Sequence, residues 1–540
     1  MSKLYRFFEI LPGALAWTTL ILAIFLSWYR PVWVALFIIV FDLYWLFKTL
    51  YLIIHLHLCF TKTNQNLKIN WLEKLKSDPK LRIYPNDPNK IFVDSDAFVV
   101  WGRVYHLIIL PMYKEPYNVV KESFESLIQS NYPKDKMIVV LATEERASPV
   151  NSSELSYGAS PEAQETAKQI KQDFGDKFFK FLITVHPKDL PNEIPGKGSN
   201  QAWAAKQAKK EIIDSLKIPY ENILVSVFDV DTQILKDYFG ILTYNFLTCE
   251  KPFNSSYQPI PFFNNNIYQA PALARVVSFS CTSWQMMQQI RPEKLTTFSS
   301  QSIPFKALVD IGFWHTYLVS EDSNIFFQCF LYYNGDWRVV PLFYPVSMDT
   351  NVGPTFKETL VNLYKQQRRW AWGAENIPYL ITGFSKNKKI PSKVKWRWAI
   401  DLISSFYAWA TNALLIFALG WLPLLLGGDR FNITILSYNL PKITSTLLTI
   451  ACVGIASSVI LSILTLPSKP KWFKKWHYLL YVLQWVFMPV NLIFFGAIPG
   501  LDAQTRLMLG GKFRLGFWVT PKRRTINESS NHKFQIPNHK

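Results

Sequence analysis

The sequence predicts an α/β domain built on a Rossmann-like parallel sheet and flanked by transmembrane α-helices. Three observations carry this. Continuous apolar runs of strand length alternate with amphipathic helical patterns through the middle of the chain. Apolar runs long enough to cross a bilayer stand before and after that region. Across 540 residues, apolar types make up 49% and charged types only 18%, which places part of the chain in lipid and exceeds one ordinary domain.

The first element is a membrane hairpin over 1–60. Its runs are "LPGALAWTTLILAIFLSW" (11–28) and "PVWVALFIIVFDLYWLFKTLYLII" (31–54), with Tyr29 and Arg30 between them. No small-residue cleavage site follows the first run, and a second run follows at once, so the pair reads as an anchor rather than a signal peptide. Lys3 and Arg6 precede it, which puts the N-terminus in the cytosol by the positive-inside rule. Asp42 lies inside the second run, where an acid is costly unless it pairs or faces a polar path.

A cytosolic domain with interfacial helices follows over 61–395. Predicted strands are "HLIILPMY" (106–113), "MIVVLA" (137–142), "FFKFLITV" (178–185) and "ILVSVFDV" (223–230). Predicted helices cover 115–130, 160–174 and 200–216. The alternation implies a parallel sheet covered on both faces. Further apolar runs at 399–428, 445–466 and 477–500 make a C-terminal membrane region, 396–500, followed by a basic tail, 501–540. Five crossings from a cytosolic N-terminus would put that tail outside, whereas its basic residues and "PSKPKWFKKW" (467–476) place it inside. The charges imply that one run is interfacial or re-entrant.

Net charge is +19, which suits anionic partners. No nucleic-acid motif is present, so the expected partners are an anionic leaflet of the lipid bilayer and a phosphorylated substrate, with no nucleic acid. The five cysteines are scattered and form no Cys-x-x-Cys, which argues against a disulfide framework or zinc site. His55 and His57 stand two apart on a helical pattern and face different directions, so they are not a metal pair.

Ligands of open α/β sheets bind beyond the carboxyl ends of the strands. The first predicted strand ends "PMYKEP", the second "ATEER", and the fourth ends in Asp229 and Asp231. Side chains two apart in an extended segment share a face. Two carboxylates there repel unless a cation joins them, and a hard divalent ion bridging to a diphosphate fits such donors. Solvated acids at a strand end are the simpler alternative for this pair alone. Further on, "VSED" supplies Glu321 and Asp322, and "YKQQRRWAWGAENI" supplies Gln366, Arg368, Arg369, Trp370 and Trp372. Arginine forks match phosphate oxygens, and tryptophan offers a flat face to a sugar. An amphipathic helix lying at the headgroups is the structural alternative for this stretch.

In this order, the set resembles the membrane-integrated family 2 glycosyltransferases, which include cellulose, hyaluronan and chitin synthases. The likeness spans roughly 100–380. "FWVTPK" (517–522) is similar to the Phe-x-Val-Thr-x-Lys gating loop of cellulose synthases, its alternative being a basic juxtamembrane tail. The resemblance implies a GT-A-type fold for the cytosolic domain. It implies an inverting, β-linkage-forming, metal-dependent transfer of a sugar from a nucleotide sugar, with uridine favoured, to a growing polysaccharide. Tyr113 and Glu115 would border the uridine, Asp229 the nucleotide, and Asp229 with Asp231 an Mn2+ or Mg2+ ion. Asp322 would be the general base. Lys197, Gln366 and Arg369 would hold the diphosphate, with Thr520 and Lys522 closing over the nucleotide. Trp370 and Glu321 would meet the acceptor. The family's aspartate after the second strand is replaced by Glu144 or Glu145, which leaves the base in doubt.

The membrane placement suggests a plasma membrane with the site facing inward. Two alternatives stand beside polymer synthesis: single transfer to a membrane lipid, and a nucleotide-sensing transporter or receptor without catalysis. No segment identifies an accessory subunit.

Overall fold

The computed structural model describes residues 2–78, 81, 100–147 and 163–524. Among the described residues, eight strands form one sheet: β1 (Tyr105–Pro111), β2 (Met137–Glu144), β3 (Lys180–His186), β4 (Ile223–Val227), β5 (Gln233–Ile234), β6 (Ser255–Phe263), β7 (Gln301–Pro304) and β8 (Arg338–Met348). Their order is β3-β2-β1-β4-β7-β6-β8-β5. The first four are parallel neighbours, in register Ile108↔Val139 and Ile108↔Ser226. Side chains of β1 alternate between two cores. Leu107 and Ile109 pack with Ala202, Ala205 and Phe326 on one face, and Ile108 and Leu110 with Phe124, Ile170 and Phe239 on the other. Each such buried aliphatic side chain contributes about 1.5–3 kcal/mol relative to exposure.

The expectation of a parallel sheet needs correction, because the sheet is mixed. β7 joins β4 antiparallel, β6 pairs antiparallel with β7 and parallel with β8, and β5 closes the edge antiparallel to β8. The patterns miss β6 and β8 because Pro259, Pro261, Pro341 and Pro345 interrupt them, and proline cannot donate to a ladder. The register shifts between Gln258 and Ile260, where the first of these prolines falls.

The predicted strand 223–230 stops at Val227, and the chain turns, Thr232 N donating to Asp229 O at 2.8 Å. Asp229 and Asp231 thus lie past the pleat, so an extended two-residue spacing does not set their directions. The predicted helix 115–130 is Tyr117–Gln129. That over 160–174 is described as Ala163–Phe174, its first three residues lying outside the described residues. The one over 200–216 starts earlier, at Lys197, and continues past Ala208 as a π-helical turn, Lys209–Ile213.

Among the described residues, five helices are long and apolar enough to cross a membrane: Lys3–Tyr29, Pro31–Leu67, Ser392–Leu419, Ile435–Leu464 and Lys475–Leu509, and they support a multi-pass membrane protein. The first four meet at the end remote from the sheet, where Leu20, Val34, Ile38, Leu415 and Leu440 cluster. Among the described residues, none from the fifth run joins that cluster. The fifth run is instead broken into short helical pieces around Pro489 and Pro499. It is also bound along its length to the sheet domain. Arg275 Nε donates to Gln484 Oε1 at 2.6 Å, Asn491 Nδ2 to Leu273 O at 3.3 Å, and Arg368 Nη1 pairs with Asp502 Oδ2 at 2.9 Å. Its end returns to the start of the first helix, where Arg6 Nη1 donates to Leu507 O at 3.2 Å.

Candidate functional site

The strand order reverses at β1, since β2 and β3 lie to one side of it and β4 to the other. This leaves a crevice at the carboxyl ends of β1 and β4, where open α/β sheets take ligands. Residues following these strands, together with two helix N-termini and the C-terminal tail, converge on it.

Lys197 opens the helix Lys197–Ala208, and its Nζ lies 2.6 Å from Asp229 Oδ1, 2.8 Å from Asp322 Oδ1 and 3.8 Å from Glu321 Oε1. Glu321 and Asp322 open the helix Glu321–Tyr332, where negative charge suits the positive end of the helix dipole. Burial pulls the Lys197 ammonium down, but Asp229, Asp322 and Glu321 outweigh it and hold the lysine above its ordinary value. Burial raises Asp229, yet Lys197 and then Lys522 overcome that and keep the carboxyl below the usual carboxylate range. Ser299 Oγ donates to Asp229 Oδ2 at 2.8 Å. Glu321 is buried, and burial followed by repulsion from Asp322 pushes it up to about 8.

Asp231 faces a different set of groups. Its Oδ2 accepts from Lys522 Nζ at 2.7 Å and from Asp349 N at 2.8 Å, while its buried Oδ1 has no hydrogen-bond partner. Burial raises Asp231, and Asp349 and Asp229 add to this against the pull of Lys522. Arg524 Nη2 pairs with Asp349 Oδ1 at 2.6 Å, and Arg524 also reaches Glu122.

Lys522 and Arg524 belong to a strap, residues 514–524, that crosses the crevice. Arg514, at its root, pairs with buried Glu9 of the first helix. Phe517 packs on Gly196, where an added Cβ would fall 2.4 Å from Phe517 Cγ. Arg369 lies over the Phe517 ring, at 4.8 Å. Thr520 is buried with its hydroxyl unpartnered.

The helix Phe356–Ala371 brings in Gln366, Arg369 and Trp370. Thr355 caps it by accepting from Glu358 N at 3.2 Å, and Arg368 and Arg369 occupy its last turn. Gln366 is buried, Arg369 Nε is buried without a partner, and Trp370 lies between Phe263 and Phe298 at 5.9 and 5.7 Å. Just beyond, Glu375 accepts from Val319 N at 2.9 Å and Ser320 N at 2.7 Å, and so ties this helix to the "VSED" turn.

At the β1–β2 edge, Glu115 accepts from Tyr113 N at 2.7 Å, and burial pushes it up to about 7. Arg146 binds Glu144 with both arms and stacks on the Tyr113 ring at 4.7 Å. Glu145 points elsewhere, accepting from Lys188 N at 3.0 Å. Of the two glutamates left open by the sequence, Glu144 is therefore the one beside Tyr113.

The structure thus gathers Lys197, Asp229, Glu321 and Asp322 in one ion cluster and Asp231 with Lys522 in a second. Gln366, Arg369, Trp370 and Thr520 line up along the strap and its neighbouring helix. Sequence reasoning missed Ser299, Asp349, Glu375, Arg146, Glu122 and Arg524. Asp349 carried a usable signal, being an acid that directly follows the strand Arg338–Met348.

Among the described residues, no group of three or more His, Cys, Asp or Glu side chains forms a ready metal cage. The donor chemistry nevertheless fits a hard divalent ion. Asp231 Oδ1 is an orphaned buried carboxylate oxygen, and a diphosphate would supply the remaining oxygens.

Fold and site together define a membrane-embedded glycosyltransferase. The chain belongs to glycosyl transferase family group 2, whose family model matches residues 225–499. Solved structures to which the chain is distantly similar include the mannosyltransferase PcManGT from Pyrobaculum calidifontis in complex with GDP-Man and Mn2+. It is 12% identical, with 81% of this chain and 99% of that chain covered and a TM-score of 0.35. S. aureus TarS 1-349 in complex with UDP-GlcNAc is 13% identical over 66% of this chain and 90% of that one, TM-score 0.33. Glucosyl-3-phosphoglycerate synthase from Mycobacterium tuberculosis in complex with UDP is 11% identical over 54% and 83%, TM-score 0.29. Likenesses this low assign no substrate. No curated protein matches the chain.

Proposed function

We propose that the protein transfers a sugar with inversion from a nucleoside-diphosphate sugar, uridine favoured, to the hydroxyl of a growing polysaccharide at the cytosolic face of the plasma membrane. The observation that carries this is Lys197 Nζ, which contacts Asp229 and Asp322 together and so joins the donor acids to the base. Asp322 accepts the acceptor hydroxyl proton as the hydroxyl oxygen bonds to the anomeric carbon. The bond from that carbon to the diphosphate oxygen breaks, and its electron pair leaves with the diphosphate. Lys197 turns from Asp322 to the diphosphate as donor binds, which frees the base. Arg369 and Lys522 neutralise the leaving group with it. No second carboxylate is assigned as a nucleophile, so an α-linked donor gives a β-linkage.

Tyr113, Arg146 and Glu144 border the base, Gln366 supports the diphosphate, and Trp370 and Glu321 meet the acceptor. Asp229 and Asp231 would hold an Mn2+ or Mg2+ ion, which supplies Lewis-acid stabilisation of the leaving diphosphate.

The membrane arrangement is read as four crossings plus a fifth run, Lys475–Leu509, that enters and leaves on the catalytic side. This supports placing the N-terminus, the catalytic domain and the strap in one compartment, as the basic residues require.

The test is a screen of UDP-sugars with purified protein and Mn2+ or Mg2+, scored by release of the nucleoside diphosphate and by product length. Asp322→Asn is expected to bind donor within twofold of wild type and to lose about 10²–10⁴ in transfer. Turnover at the wild-type rate in that variant would remove Asp322 as base.

A further inference from the structure

Between the helix Phe356–Ala371 and the fifth apolar run lies an open cavity of about 420 Å3, outside the crevice just described. Its walls are Leu360, Val361, Phe494, Phe495 and Ile498, and Tyr364, Lys365 and Arg368 stand at one end. Residues three and four apart share a helix face, so this helix presents apolar groups in its first half and cations in its second. From Leu360 to Arg368 is about 12 Å at the helical rise. Val361 and Phe494 are 43% and 54% exposed, and Phe494 belongs to the fifth apolar run.

The polar end carries excess positive charge. Asp502 is shared by Arg368 at 2.9 Å, Arg506 at 2.6 Å and the Tyr364 hydroxyl at 3.0 Å. One carboxylate thus faces two guanidinium groups. Lys365 has no carboxylate partner among the described residues, and its ammonium rests 5.5 Å from the ring of Trp518 in the strap. A groove that is apolar along its length and cationic at one end complements an amphiphile with an anionic head.

We propose that this groove binds a bilayer phospholipid with an anionic head group, its acyl chain against Val361 and Phe494 and its phosphate between Lys365 and Arg368. The site does not depend on the sugar donor. It goes beyond the transfer reaction, and its test does not use transfer as a readout.

The full-length protein is purified in detergent and incubated with phosphatidylglycerol or phosphatidylcholine, and retained lipid is counted by native mass spectrometry. Wild type is expected to retain one phosphatidylglycerol and to discriminate against phosphatidylcholine. Lys365→Gln is expected to weaken phosphatidylglycerol retention about five- to tenfold. Val361→Asp should abolish retention by charging the apolar wall, while Lys474→Gln, elsewhere on the basic surface, should leave it unchanged. Thermal unfolding of each variant at the wild-type temperature confirms an intact fold. Equal retention of both lipids, or wild-type retention by folded Lys365→Gln, overturns the proposal. So does displacement of the lipid by millimolar inorganic phosphate, which would make the site one for free phosphate.

Discussion

If Asp231 takes a divalent ion when donor binds, then Lys522 and that ion compete for one carboxylate, and removing the lysine should favour the ion. The Lys522–Asp231 contact is 2.7 Å, with the aspartate side chain fully buried and the lysine 14% exposed. Removing one partner of such a pair costs about 3–5 kcal/mol, because the remaining charge is left unpaired. That range corresponds to roughly 10²–10³·⁵ in an equilibrium constant and is an upper limit on the gain. A proton relieves part of the penalty, since burial holds Asp231 above the usual carboxylate range. For Lys522→Met we therefore expect Mn2+ affinity to rise about tenfold at pH 8, the gain shrinking as pH falls and protons compete for the bare acid. The measurement is a Mn2+ titration followed by electron paramagnetic resonance, on full-length protein with UDP present. Transfer should fall in the same variant, because the diphosphate loses a counter-charge. Unchanged or weaker Mn2+ binding at pH 8 would refute the exchange.

Three other outcomes follow from the geometry. Glu115 is raised by burial from 4.5 to about 7, so the native state holds its proton more tightly than the unfolded chain. The corresponding stability is complete below pH 4.5 and is lost as pH rises through 7, by at most about 3 kcal/mol. Glu115→Gln should remove that slope, so that its melting temperature relative to wild type rises between pH 5 and 8; parallel profiles would exclude the assignment. Gly196→Ala places a Cβ 2.4 Å from Phe517 Cγ and should displace the strap, with trypsin cutting at Lys522–Arg524 faster than in wild type. Wild-type cleavage kinetics would show that the strap accommodates the methyl group. Cysteines introduced at Lys469 and Lys512 should react with an impermeant maleimide from the same side of the membrane, and labelling from opposite sides would make the fifth run a true crossing.

The sequence shows the parallel half of the sheet because β1, β2 and β4 are continuous apolar runs, uninterrupted until their ends. It hides the other half because β6 and β8 carry prolines at positions where the pattern reads as loop. The same division holds in the site. Asp229, Asp231, Glu321, Asp322, Gln366 and Arg369 sit in short spaced motifs whose chemistry is readable along the chain. Asp349, Glu122, Ser299 and Glu375 are single residues whose meaning depends on partners far away: Arg524 is 175 residues from Asp349 and 402 from Glu122. Only folding brings such pairs together. The two-residue spacing of Asp229 and Asp231 says nothing of their directions for a local reason, a turn that begins two residues after the strand ends.

Asp231 is followed only 291 residues later by its lysine, and the arginine that pairs with Glu122 comes later still. Every acid of the crevice, and every apolar run, is therefore translated before these two cations emerge from the ribosome. A nascent chain that stalls just short of residue 522 is left with uncompensated carboxylates in its half-built pocket, so the electrical closure of the site waits for the strap.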